Sequence, residues 1–96
     1  MTRTFLMIAL AALLWAPVAN ASCFADYKAK KDAPLRLHYG VIELPSGACG
    51  DRNAAAAEIA GRIAADGWTL LNVMTVFGAE GLNERAASAG EFHLRY

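Results

Sequence analysis

His38 and His93 are the only imidazoles in this 96-residue chain, and Cys23 and Cys49 are its only thiols. If both histidines lie on strands, they alternate with inward apolar neighbours and can project from one sheet face. Glu43 or Glu91 could then complete an imidazole and carboxylate metal site. No contiguous ligand motif accompanies them, and histidines at solvent-facing strand positions need no ligand. No metal or cofactor is therefore expected. Ser46 and Ser88 sit in Gly-containing connections, but neither has the Gly-x-Ser-x-Gly setting of an exposed nucleophile. Asp66, Glu80 and Glu84 are scattered where polar residues normally sit, so no general acid stands out. The glycines at 47, 50, 78, 81 and 90 do not build a phosphate-cradling loop that opens a helix. No catalytic residue is expected.

The cysteines make more sense as structure than as chemistry. Met1 to Ala21 has the form of an export signal. Arg3 supplies a positive start, Phe5 to Trp15 an apolar run, Pro17 a break, and Ala19-Asn20-Ala21 small residues for cleavage after Ala21. The run is too short for a bilayer span, which needs about 20 apolar residues. A single arginine ahead of it points to the general unfolded-chain route. The protein is thus expected to be exported, periplasmic or secreted, where an even cysteine pair in a small domain forms a disulfide. Such a Cys23–Cys49 bond restricts the unfolded chain by about 3.5 kcal/mol in the chain-entropy model. A lipid anchor on Cys23 is the competing use, but Asn20 stands where a lipoprotein signal carries an aliphatic residue.

Processing leaves 75 residues, one small domain, with a formal net charge of −1 once Arg3 is lost. That balance carries no nucleic-acid footprint. The 56% hydrophobic content is inflated by the signal, so no membrane contact is expected after cleavage. Lys28, Lys30 and Lys31 are the one concentration of charge, and they read as a solvated arm ahead of the competing reading, an anionic-surface contact.

The elements that must position these residues follow from periodicity. Ser22 to Pro34 reads as a polar, irregular arm tethered by Cys23, ahead of a single domain at 35–96. Leu35 to Tyr39 alternates as a strand with its leucines inward. Val41, Ile42 and Leu44 then leave that phase, so Gly40 marks a bulge or the strand is covered on both sides near its end. Asp51 can cap a helix whose apolar line is Ala55, Ile59 and Ile63, with Glu58 and Arg62 paired outside and Gly67 as its stop. Trp68, read as a core anchor, opens a strand to Phe77 that is apolar on both faces. Gly78 to Gly90 connects, with a short helix over Leu82 to Ala89. Glu91 to Tyr96 alternates as a last strand with Phe92, Leu94 and Tyr96 inward. The expected fold is a small α+β domain in strand-helix-strand-strand order, with one helix on a three-stranded mixed sheet and one disulfide.

The run Ile63-Ala64-Ala65-Asp66-Gly67-Trp68-Thr69-Leu70-Leu71-Asn72-Val73 resembles the helix-end, Gly-Trp, strand stretch of the bacterial domain-of-unknown-function family 4177. His38 to Leu44 is similar to that family's opening strand, and Leu94-Arg95-Tyr96 to its close. The likeness covers roughly Leu35 to Tyr96 and implies a compact strand-helix-strand-strand domain. It implies no activity and no catalytic residues. The export signal, the cysteine pair and the longer final connection depart from the family's short members.

A doubly apolar strand in a sheet with one helix leaves a second face to be covered by the N-terminal arm, the thirteen-residue connection or another subunit. The expected function is accordingly that of a binding module, self-associating through its sheet or contacting another exported protein. The competing classes are a small exported enzyme or metal binder using His38 and His93, and an accessory or inhibitory subunit of an exported enzyme.

Overall fold

The computed structural model describes Ser22 to Tyr96. The expected signal at Met1 to Ala21 lies outside the described residues. Strands β1 (Cys23–Lys31), β2 (Arg36–Leu44) and β3 (Thr69–Phe77) form one sheet in the order β2-β1-β3. Both pairings are antiparallel. Helix α1 (Arg52–Ala64) links β2 to β3, and the short helix α2 (Asn83–Ala89) follows β3. The α+β class and the disulfide are as expected, but the strand arrangement is not.

The expected irregular arm is the central strand. Cys23, Ala25, Tyr27 and Ala29 are all buried on one face, while Phe24, Asp26, Lys28 and Lys30 take the other. That is a period-2 pattern, hidden in the sequence by its lysines. β2 and β3 do run parallel to each other, as a crossover through α1 requires, but β1 lies between them and the sheet has no mixed pair. The expected closing strand at Glu91 to Tyr96 is absent. Gly90 turns the chain at φ 56°, a 3-10 turn follows at Gly90–Phe92, and the backbone meets the sheet at an isolated bridge between His93 and Val41, where the Leu94 N–H donates to Val41 O at 2.8 Å. Phe92 and Tyr96 pack on the core as expected, whereas Leu94 points out.

The phase of β2 is also reversed from the expectation. No bulge interrupts the β1–β2 register, so Ile42 and Leu44, which pack under α1, set the face for the whole strand. His38 and Gly40 therefore face the core, and Leu37 faces out at 66% exposure. Gly40 serves close packing: a Cβ there would lie 2.5 Å from the Tyr27 hydroxyl. Val41 is buried on the opposite face, so the strand end is covered on both sides, the second of the two expected explanations.

β3 is an edge strand with two register shifts against β1, around Met74 and Leu71. Its core-facing residues become Leu70, Val73 and Val76, spaced by three, in place of strict alternation. Leu71 and Met74 are left exposed. Bulges of this kind also discourage edge-to-edge pairing.

α1 begins where Asp51 accepts the Asn53 N–H at 2.9 Å and presents Ala55, Ile59 and Ile63 to the sheet, all fully buried. Its alanines keep that face thin. Glu58 and Arg62 pair at 3.3 Å on its outside. After the helix Gly67 takes φ 82° and Trp68 turns back inward, its N–H donating to Ile63 O at 3.2 Å. The disulfide joins the first residue of β1 to the turn before α1, with Cα atoms 5.8 Å apart.

Candidate functional site

Two polar constellations and one open surface are built on this frame, at positions that the register of β1 dictates. On the α1 face, His38 stands opposite Ala29 and is only 7% exposed. Its Nε2 is hydrogen-bonded to the Tyr27 hydroxyl at 3.0 Å. Phe92 stacks on the imidazole at 3.8 Å between centroids and 8° between planes, and Trp68 meets it edge-on at 4.2 Å. Burial, reinforced by the Lys31 and Arg95 charges, pushes His38 below its ordinary value of 6.5, with Glu91 pulling the other way. Tyr27 is pushed up to about 12, chiefly by burial. Its proton is therefore not available near neutrality, and the pair acts as a packed, neutral core group.

His93 is half-buried at the sheet margin beside Val41. The two histidines do not occupy equivalent solvent-facing positions on one sheet face, because His38 is inward and His93 is not on a strand. No group of three or more His, Cys, Asp or Glu that could hold a metal ion forms among the described residues. Glu43 and Glu91 are exposed. Ser46 and Ser88 are exposed on a 3-10 turn and on α2, Asp66 accepts the Tyr96 hydroxyl at 2.8 Å, and Glu84 pairs with Arg85 at 2.7 Å. Gly67 supplies the positive φ after α1, and Trp68 is 8% exposed against the aromatic group.

On the opposite face Asp26, 5% exposed, gathers the connection after β3. Its Oδ2 accepts the Tyr39 hydroxyl at 2.8 Å and Arg85 Nε at 3.0 Å. The Arg85 guanidinium also lies 3.9 Å from the Phe77 ring and donates to Gly81 O at 2.8 Å. Burial and the hydrogen bond to Asp26 push Tyr39 up to about 12. This clamp fastens α2 over the half of the sheet nearest Cys23.

The other half of that face is open. A groove of about 210 Å³ is lined there by Lys28, Leu37, Tyr39 and Leu71. Lys30 shares the surface, because its register partner is Leu37. At the adjoining hairpin end Leu35 is 64% exposed and Arg36 is paired in register with Lys31. Lys31 lies 4.6 Å and Arg36 5.8 Å from the Trp68 ring, and Arg95 lies 5.7 Å from Phe92. Lys28, Lys31, Arg36 and Arg95 form no ion pair among the described residues; Lys30 pairs with Asp32 at 3.4 Å.

Sequence reasoning missed the roles of Asp26 and Lys28 because it left them on an arm, and of Leu37 because it turned that side chain inward. The alternation of Cys23 to Lys30 is the signal for the first two, and the phase set by Ile42 and Leu44 is the signal for Leu37. No protein-family model, curated protein or solved structure matches the chain.

Proposed function

We propose that the chain is a small exported binding module that works by surface contact, with the hairpin end and the open half of the sheet as its contact surface. One observation carries this: Leu37, Leu71 and Lys28 rim an open groove on the only half of that sheet face that α2 leaves bare. An exposed apolar cluster on a rigid sheet is a surface suited to association. The disulfide, expected only in an oxidising space, supports export. No helix among the described residues is long and apolar enough to cross a membrane.

Self-association through this face has Lys28 and Lys30 working against it, since a twofold pairing sets like charges near one another. A different partner suits the surface better. Kinship with family 4177 is part of the proposal too. The run from Ile63 through Gly67 and Trp68 into β3 supports it, and the lack of a strand at Leu94 to Tyr96 does not.

The test places a photo-crosslinking amino acid at position 37, 71 or 57 of the full chain, irradiated in the compartment to which it is exported. Adducts at 37 and 71, with none at 57 on the outer side of α1, are expected. Adducts only at 57, or none at all, contradict the reading. A species of twice the chain mass identifies a second copy as the occupant.

A further inference from the structure

The hairpin end unites features that the sequence keeps apart. Lysines 28, 30 and 31 precede the β1–β2 turn, Leu35 lies in it, Arg36 and Leu37 follow it, and Arg95 comes from the far end of the chain. The register places Lys30 beside Leu37 and Lys31 beside Arg36, and Leu35 sits at the turn itself. Lys28, Lys30 and Leu37 lie on the open face. Lys31, Arg36 and Arg95 flank the aromatic group on the α1 side. Cations therefore stand on both sides of a hairpin whose tip and open face carry the exposed leucines 35 and 37, with Leu71 beside them on β3.

We infer that this hairpin end docks on an anionic lipid surface, an inference that rests on reading the same surface as the contact site. Leucines at the tip can enter the boundary between headgroups and acyl chains. The flanking cations meet phosphate at headgroup level, their apolar stems lying along the protein. Four of those cations make no ion pair among the described residues, and Asp32 offsets Lys30. Both ingredients are needed, because neither a few leucines nor a few cations alone hold a protein on a bilayer. A nucleic-acid partner fits less well, since single strands are held by stacking on exposed aromatic faces. Here Trp68 is 8% exposed, and Phe92 is stacked on His38. The sequence alone suggested no membrane contact after processing, because it placed the lysines on an arm and the leucines in the core.

The experiment is co-sedimentation of the processed full chain with phosphatidylcholine vesicles, with and without phosphatidylglycerol. Binding to the anionic vesicles is expected to exceed binding to the neutral ones about a hundredfold, at about 1 kcal/mol for each of three effective cations. Raised salt should remove most of that difference. Replacing both Lys28 and Arg36 by Glu should abolish the preference, and Leu35→Ser should weaken binding severalfold. Ala57→Glu, on the outer side of α1, should leave it unchanged. Leu35 lies outside the core, so its variant reports on docking even if a charge variant folds poorly. Equal binding to both vesicles, no binding to either, or an unchanged Leu35→Ser overturns the inference. So does retention of the chain on DNA or heparin with none on vesicles. Crosslinks at 37 and 71 without vesicle binding overturn the lipid assignment alone, whereas loss of the crosslinks removes the binding reading beneath it.

Discussion

The two faces of the sheet differ in how they are held. The α1 face is sealed by apolar packing of Ala25, Tyr27, Ile42, Leu44, Ile59 and Ile63, and its buried polar pair, His38 with Tyr27, is enclosed by Trp68 and Phe92. The opposite face is half covered, and a polar clamp from Asp26 to Arg85 and Tyr39 holds its cover. Apolar packing is indifferent to direction, but a buried carboxylate fixes which group sits on it. The contrast teaches that stability is concentrated on one face, while the other is free to leave a half exposed for contact.

The largest way to break this contrast is through the disulfide that pins the first residue of β1 to the α1 layer. Replacing Cys23 and Cys49 together by Ala should cost about 3.5 kcal/mol, read as a lowered urea midpoint of the processed chain. A change of only a few tenths would mean that packing alone secures that face.

A smaller effect is expected on the clamp. Asp26→Ala strands the Tyr39 hydroxyl and the Arg85 guanidinium and should cost about 2 kcal/mol, less than a fully buried pair because Arg85 retains Glu84 and some water. The comparison sharpens if hydrogen exchange rises across α2 and not across α1. Equal rises in both helices would show that the two faces form one cooperative unit.

The smallest effect is a pH dependence from His38. Its folded value lies below the ordinary 6.5, so between those two values the unfolded chain binds more protons than the folded one, and stability rises with pH. The contribution is complete above about 6.5 and is lost as the pH falls from there toward the folded value. Urea midpoints measured from about pH 7 down to about pH 5 should decline, and His38→Gln should flatten that part of the decline. A midpoint that climbs on acidification would contradict the neutral, enclosed imidazole.

α1 with its Asp51 cap is legible because its apolar residues keep one period, and β3 because a run of β-branched and aromatic residues follows Gly67 and Trp68. The disulfide is legible from an even cysteine pair behind an export signal. β1 was lost because Lys28, Lys30 and Lys31 outweigh four small or aromatic inward residues in any reading by composition. The face of β2 was inverted because Leu35 and Leu37 look like core, yet the phase is decided downstream by Ile42 and Leu44 and by the space Gly40 leaves for Tyr27. The bulges at Leu71 and Met74 depend on pairing with β1, which no local pattern in β3 records. The candidate site was least legible for the same reason: it consists of residues that the register, and not the chain order, brings together.

Hydrogen–deuterium exchange on the processed full chain, alone and with phosphatidylglycerol-containing vesicles, tests the division between a face that builds the fold and an end that makes contact. The account predicts added protection over residues 33–39 and around Leu71, with exchange in α1 unchanged. Protection over α1, or none at the hairpin, would contradict it.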